Sequence, residues 1–162
     1  MKLNKIIYLI IVVFTMSCSN NKIKGIGDVI GKEIICDSIL NNEKYKILVI
    51  NNDTTDCISC KLQVNKWYIY NLELEKLNLN CDVIYVLNND IIEKEIIHIL
   101  KNYNLKSYCI YNKFIQDNLF ISDFPYNTFL LSDDNKILLI GDPINNKKLW
   151  KLYKEKIERP ML

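Results

Sequence analysis

Short apolar runs alternate with amphipathic stretches along most of this chain. Lys46 to Asn51 and Cys81 to Asn88 are compact apolar runs bounded by turn-forming residues, which predicts two buried strands. The stretch KSYCIYN, from Lys106 to Asn112, predicts a third strand, and Gly31 to Leu40 predicts a short strand near the start. The chain is therefore expected to build a sheet.

Segments with helical spacing of apolar residues lie between or after these runs. Three segments carry apolar residues at steps of three and four, which is typical of a helix with one buried face. The inward residues are Val64, Trp67, Asn71, Leu74 and Leu77 in the first segment, Ile92, Ile96, Ile99, Leu100 and Tyr103 in the second, and Leu149, Leu152, Tyr153 and Ile157 in the last. The stretch FIQDNLF, from Phe114 to Phe120, predicts a short helix or a loop.

The end of the chain predicts a hairpin followed by a helix. YNTFLLS and KILLIG flank Asp133-Asp134-Asn135, and two strands around such turn residues form a hairpin. Alternating strands and helices imply parallel pairing, and the hairpin adds antiparallel strands. The expected fold class is α/β, a mixed central sheet flanked by helices with a C-terminal hairpin and helix.

Length and charge limit the possible functions. The chain has 162 residues, which suits one domain. Its formal charge of +2 comes from Lys2 and Lys5 in the first 17 residues, and beyond them the basic and acidic side chains balance at 19 each. A neutral chain gives no electrostatic reason to expect nucleic acid as a partner.

The first residues have the pattern of an export signal. Lys2 and Lys5 precede nine apolar residues, Ile6 to Phe14, and Thr15-Met16-Ser17-Cys18 follows. This stretch is shorter than the ~20 residues of a membrane-spanning helix. The ending resembles a bacterial lipobox, which implies cleavage before Cys18 and attachment of acyl chains such as palmitate to that cysteine. Ordinary signal cleavage with an incidental Cys18 is the alternative.

This interpretation divides the chain into three parts. Residues 1–17 are a signal peptide, residues 18–32 a polar tether and residues 33–162 the domain. The expected location is the cell envelope, where the lipid holds the protein on the outer membrane or on another membrane facing the periplasm. Ser19 permits the outer membrane, because the Asp that retains enterobacterial lipoproteins at the inner membrane is absent here.

Two cysteines in the stretch NNDTTDCISCKLQVNKW carry the candidate chemistry. Cys57 and Cys60 lie two residues apart, between a predicted strand and a predicted helix. At a helix N-terminus the free N–H groups lower the pKa of a thiol, so Cys57 could attack a disulfide and Cys60 could resolve the mixed disulfide. A structural disulfide is the alternative in an exported protein. A metal site is not expected, because the sequence has no second Cys-x-x-Cys and His98 is its only histidine.

The two ends of the predicted domain together resemble the thioredoxin superfamily. The motifs are strand-loop-CISC-helix near the start and FPYNTFLLSDDNKILLIGDP near the end, and the resemblance covers about Lys46 to Ile157. It extends to the thioredoxin-like (redoxin-domain) lipoproteins of Bacteroidota, in which a similar hairpin precedes GDPI. It implies a thioredoxin-like fold, a Cys57–Cys60 disulfide and substrate docking on a proline loop.

Two positions depart from the family pattern. Asp56 stands where the best known members have Trp, and a carboxylate beside a thiolate raises the pKa of the thiol. The strict register places Tyr126 at the position of the cis-proline, one residue after Pro125. Since cis bonds occur before proline, we expect Pro125 to be that cis residue and Pro125 and Tyr126 to form the substrate-docking loop.

Two functions follow from this resemblance. The first is a lipid-anchored thiol–disulfide oxidoreductase that reduces or exchanges disulfides in exported proteins and is supplied by a membrane electron donor. The second is a non-catalytic thioredoxin-like binding or assembly lipoprotein, in which Cys57–Cys60 is a structural disulfide. Both are expected to use no cofactor, no metal and no nucleic acid. Because one function is catalytic and the other is not, whether the protein is an enzyme stays open at this point.

The remaining cysteines and the tryptophans are expected to be structural. Cys36, Cys81 and Cys109 are predicted to be buried thiols, since a free cysteine behaves as a small apolar residue. Trp67 and Trp150 lie on apolar helical faces and are predicted to belong to the core.

Overall fold

A five-stranded sheet forms the centre of the molecule in the computed structural model. The structure describes residues 25–36, 40, 44–51, 62–87, 94–108, 111–122 and 124–159. In this part of the chain the strand order is β3-β2-β1-β4-β5. The strands are β1 (Tyr45–Asn51), β2 (Cys81–Leu87), β3 (Lys106–Tyr108), β4 (Thr128–Leu131) and β5 (Ile137–Ile140).

The pairing is mixed, as the sequence predicts. β1 pairs in parallel with β2 from Tyr45↔Cys81 to Asn51↔Leu87, and β2 pairs in parallel with β3. β4 is antiparallel to both β1 and β5. The carboxyl end of β1 therefore lies beside the amino end of β4, and this edge positions the candidate site.

Four α-helices connect or cover the strands in the described residues. They are α1 (Val64–Lys76), α2 (Lys94–Asn102), α3 (Tyr111–Asp117) and α4 (Lys147–Glu158). Short 3-10 turns, Ile26–Asp28 and Leu119–Ile121, lie before β1 and after α3. Among these helices none is long and apolar enough to cross a membrane. The α/β fold class predicted from the sequence is confirmed.

The sheet separates two apolar layers. Side chains of α1, α2 and α4 pack on one face, around Trp67, Tyr85, Leu100 and Trp150. The second face is covered by the N-terminal segment together with α3 and the 3-10 turn after it, around Ile34, Phe114 and Phe129. Both tryptophans belong to the first layer, as predicted.

The N-terminal cover begins earlier than the predicted domain boundary at residue 33. Val29 is fully buried in the second layer, and the Gly31 amide donates a 2.8 Å hydrogen bond to the Ile137 carbonyl. The part of the predicted tether that the structure describes, residues 25–32, is thus packed onto the domain. The strand predicted for Gly31 to Leu40 is reduced to one antiparallel bridge, Glu33 with Lys136, in the described residues.

Three other details differ from the sequence prediction. β3 ends at Tyr108 and α3 begins at Tyr111, so the end of KSYCIYN is helical rather than extended. Leu77 follows the last residue of α1 and is exposed. Leu152 is also exposed, because Trp150 takes the inward position of α4 and Leu152 lies about 200° further around the helix.

The buried side chain of Lys46 holds the hairpin turn by hydrogen bonds. Although it is charged, it is buried on β1, and its Nζ donates 2.8 Å hydrogen bonds to the Asp133 carbonyl and to Asn135 Oδ1. Burial lowers its pKa, while nearby Asp133 and Asp134 oppose that shift. Asn135 has a positive φ of 64°, which suits an asparagine in a tight turn. This turn lies at the amino end of β1, opposite the candidate site.

Candidate functional site

The segment that carries the two cysteines is joined to the sheet at both of its ends. β1 ends at Asn51, which is buried and paired with Leu87, and Leu62 is buried at the other end. Cys57 and Cys60, with Asp53 and Asp56, fall in residues 52–61, outside the described residues. Their pairing and their roles therefore remain predictions.

Tyr85 holds the end of this segment on the sheet. Its hydroxyl donates a 2.9 Å hydrogen bond to the Leu62 carbonyl, and both groups are buried. Burial, and then the charge of Asp142, raise the pKa of Tyr85, so the phenol stays protonated and keeps donating. The sequence pattern does not predict this contact. A single hydroxyl in the apolar run CDVIYVLN is the signal that could have shown it, because a buried Tyr hydroxyl usually has a partner.

The helix that follows the cysteines begins at Val64. Gln63 precedes it with a φ of 46°, in the left-handed region, and its carbonyl accepts hydrogen bonds from the amides of Lys66 and Trp67. A left-handed residue interrupts a right-handed helix. A helical turn at Cys60, as predicted, would therefore not be continuous with α1.

The proline loop lies beside the carboxyl end of β1. The Ile50 amide donates a 2.8 Å hydrogen bond to the Asn127 carbonyl, just before β4 begins. Pro125 and Tyr126 precede this contact and are exposed. The structure thus brings the predicted docking loop to the sheet edge from which the cysteine segment leaves.

The expected cis bond at Pro125 is not found. The described residues contain no cis peptide bond, so the Phe124–Pro125 bond is trans. Tyr126 and Asn127 separate Pro125 from β4, whereas the superfamily proline stands closer to its strand. The docking role of Pro125 and Tyr126 stays a prediction.

The GDPI stretch fixes α1 and α4 near this edge. Tyr70 of α1 directs its hydroxyl at the carbonyls of Pro143 and Ile144, at 3.3 and 3.2 Å. Tyr153 of α4 donates to the Gly141 carbonyl at 2.8 Å. Gly141 has a φ of 121°, and a Cβ there would lie 3.2 Å from Leu149, so a larger residue is not accommodated easily.

A cleft of about 740 Å³ opens beside the first turn of α1. Its described lining combines polar and apolar side chains, namely Gln63, Val64, Asn65, Lys66, Ile99, Tyr103 and Asn145. Lys66 donates a 3.0 Å hydrogen bond to Asn145 across it. The Gln63 Oε1 atom is buried, and no described group donates to it.

The other cysteines do not join this edge in the described residues. Cys81 is a buried, free thiol at the amino end of β2, as predicted. Burial raises its pKa, so it stays protonated and unreactive. Cys36 is half-buried beside the second core layer, and Cys109 falls outside the described residues.

A metal centre has no basis in the described residues. They contain no group of three or more His, Cys, Asp and Glu side chains that could hold an ion. His98 lies exposed on α2.

Comparison with known proteins identifies the fold of this chain. No protein-family model matches the sequence, and no curated protein matches it. Solved structures do match. A thiol:disulfide interchange protein from Bacteroides sp. has a TM-score of 0.50 at 11% identity over 82% of this chain and 87% of its own.

Two further structures match at similar levels. The thioredoxin domain of a thiol-disulfide oxidoreductase from Bacteroides vulgatus has a TM-score of 0.50 at 9% identity over 72% of this chain and 81% of its own. Copper-bound yeast Sco1 has a TM-score of 0.53 at 9% identity over 74% and 82%. At such identities the likeness shows the fold alone, and that fold is thioredoxin-like.

Proposed function

We propose that this thioredoxin-like chain is a lipid-anchored thiol–disulfide oxidoreductase of the bacterial envelope. The observation that supports it best is the meeting of three parts at one sheet edge. β1 leads into the cysteine segment there, Tyr85 holds the far end of that segment, and the Pro125–Tyr126 loop lies alongside. A disulfide substrate on that loop would lie at the sheet edge from which the cysteine segment leaves.

The chemistry is an exchange in two steps. The Cys57 thiolate attacks one sulfur of a substrate disulfide, forms a mixed disulfide and releases one substrate thiolate. The Cys60 thiolate then attacks Cys57, forms the Cys57–Cys60 disulfide and releases the second substrate thiolate. Two electrons pass to the substrate, and a membrane electron donor would restore the dithiol. No cofactor or metal is needed.

The activity test compares cysteine variants. We expect the full chain to reduce a protein disulfide, Cys57→Ser to lose this activity, and Cys60→Ser to accumulate the mixed disulfide. Cys81→Ser is the matched control, because that thiol is buried at the opposite edge of the sheet. Activity that survives in Cys57→Ser contradicts the proposed nucleophile.

The alternative is a non-catalytic binding or assembly module with a structural Cys57–Cys60 disulfide. Asp56 and the trans Pro125 favour it. The pKa of Cys57, measured by thiolate absorbance, separates the two functions. A value well below the ordinary ~8.5 supports exchange, and an ordinary or raised value supports the module.

The proposed location rests on the first eighteen residues. A lipid on Cys18 would hold the domain at a membrane of the cell envelope, with exported proteins as its substrates. Mass spectrometry of the mature N-terminus tests this directly. We expect an acylated Cys18, and an unmodified residue at a different cleavage position contradicts the anchor.

A further inference from the structure

Four apolar side chains are exposed on the cover of the second sheet face. Ile35 is 51% exposed and Leu119 is 67% exposed. Ile26 and Ile30, joined by a 3.4 Å amide-to-carbonyl hydrogen bond, are exposed in the same N-terminal segment. These four residues are called the apolar patch below.

Asn118 fixes Ile35 and Leu119 next to each other. The buried Asn118 side chain accepts a hydrogen bond from the Ile35 amide and donates one to the Ile35 carbonyl, both at 2.8 Å. It also donates to the Phe114 carbonyl at 2.8 Å, and Leu119 is the next residue along the chain. Neighbouring apolar side chains on a surface mark an interaction site more often than scattered ones, and Ile35 and Leu119 are such neighbours.

We propose that the apolar patch rests on the lipid surface to which Cys18 is attached. This inference depends on the proposed lipid anchor, and the length of chain before the patch supports it. Gly25 is the seventh residue after Cys18, and a fully extended chain over those seven steps spans at most about 25 Å. The patch begins at the next residue, Ile26, so an anchored chain keeps this surface close to the bilayer.

Lys32 adds a positive charge beside the same surface. Its Nζ lies 5.1 Å from the centre of the Phe120 ring, and Phe120 follows Leu119 in the chain. Asp28 and Glu33 are exposed in the same segment, so Lys32 gives no net attraction to anionic lipid, and the proposed contact rests on the apolar side chains.

The proposal orients the candidate site away from the membrane. Ile34 donates a 2.9 Å hydrogen bond to the Asn135 carbonyl in the hairpin turn, which places Ile35 near the amino end of β1. The cysteine segment leaves the opposite end of the seven-residue β1, roughly 20 Å away at about 3.3 Å per residue. The sheet edge from which the cysteine segment leaves would then face the soluble space, where exported proteins approach.

Fluorescence quenching by brominated lipid tests the patch. The full lipidated chain is reconstituted in phosphatidylcholine vesicles with or without bromine on the acyl chains. We expect at least about a twofold loss of the added tryptophan emission in Leu119→Trp, because an interfacial side chain reaches the acyl boundary. Ile35→Trp is a second reporter from the same patch.

Ile69→Trp is the matched control. Ile69 is 60% exposed on α1, which packs on the other face of the sheet. Native Trp67 and Trp150 are buried, and their emission is subtracted with the unsubstituted chain. We expect no loss in Ile69→Trp.

Each outcome decides the proposal. Equal emission from Leu119→Trp and Ile35→Trp in both kinds of vesicle overturns it, and so does stronger quenching of Ile69→Trp. Vesicle flotation measures the anchor separately, and a chain that does not float overturns both the anchor and the patch. Disulfide reduction is measured on the same samples, so a failure of the redox function is distinguished from a failure of the orientation.

Discussion

Single polar side chains inside the molecule join segments that are distant in sequence. Tyr85 joins β2 to Leu62, and Lys46 joins β1 to the hairpin turn. Each donates to a backbone carbonyl of the distant segment. Where the acceptor is buried, as the Leu62 carbonyl is, loss of the donor leaves that acceptor without this partner, which costs more than the hydrogen bond itself contributes.

Tyr85→Phe is expected to loosen the end of the cysteine segment. Loss of the donor to the Leu62 carbonyl should lower the free energy of unfolding by about 1 to 3 kcal/mol, measured by urea denaturation. Hydrogen exchange at the amides of Lys66 and Trp67, which bond to Gln63, should become faster. Tyr153→Phe also removes a buried hydroxyl donor, but from the Gly141 carbonyl, and should leave those two amides unchanged.

Pairs of elements are held together by small polar clusters at the edge of the apolar layers. Trp150 of α4 stacks on Tyr70 of α1 with ring centres 4.1 Å apart, and its Nε1 donates to Glu73 at 2.7 Å. Lys154 forms an ion pair with the same carboxylate. Hydrogen bonds from Lys154 and Trp150 lower the pKa of Glu73.

The α1–α4 contact should depend on pH through Glu73. Because its pKa is lower in the folded chain, the stabilisation is complete above the unfolded value of 4.5 and disappears as pH falls through the folded value. At neutral pH, Glu73→Gln should lower the free energy of unfolding by less than about 1 kcal/mol, since the pair is partly exposed. The difference from the parent chain should vanish in acid.

Glu155→Gln is the control for that titration. Glu155 pairs with Lys151 at 3.7 Å within α4 and is more exposed. Its substitution should change stability little at any pH. A Glu73→Gln chain whose deficit persists unchanged in acid would contradict the role given to the carboxylate.

Asn118 joins α3 to the N-terminal cover. Asn118→Ala removes three hydrogen bonds from a fully buried side chain and leaves both backbone groups of Ile35 without this partner. We expect a loss of about 2 to 3 kcal/mol in urea denaturation. Hydrogen exchange of the Ile35 amide should accelerate more than that of Gly31, whose amide bonds to Ile137. Equal protection in both chains would show that the amide of Asn118 is not what holds Ile35.

At the scale of the whole molecule, two apolar layers on one sheet must both be covered. The sequence predicts the sheet, because strand runs and helical spacing differ in period. It predicts the cover of the second face poorly. Residues 25–32 contain three glycines and two charged residues beside Ile26, Val29 and Ile30. The burial of Val29 and the hydrogen bond from the Gly31 amide to the Ile137 carbonyl show that they belong to the domain.

Some features of the candidate site are likewise predicted by the sequence, and others are not. The cysteine spacing and the position of the cysteines between strand and helix follow from local patterns. The contacts of Tyr85 with Leu62 and of Ile50 with Asn127 depend on strand order, which brings together residues more than twenty positions apart. The trans Pro125 depends on the path of the loop into β4, which the sequence pattern leaves open.

Ile34 should be essential to the fold, whereas its neighbour Ile30 should not. Ile34→Ala removes a buried side chain from the second layer and should cost about 2 to 5 kcal/mol. Ile30→Ala, at an exposed position, should stay within about 0.5 kcal/mol of the parent chain. If Ile34→Ala costs as little stability as Ile30→Ala in thermal unfolding, residues 25–36 lie outside the cooperative domain.

The connection between the N-terminal cover and β5 also has a mechanical consequence. A force applied through the residues before Gly25 reaches the fold at the Gly31–Ile137 and Ile34–Asn135 hydrogen bonds. Tension perpendicular to this short pairing would break the bonds one after another, whereas tension along it would load them together. A domain pulled from its N-terminus should therefore lose this cover first, and with it the shield over Phe114 and Phe129, before the central strands separate.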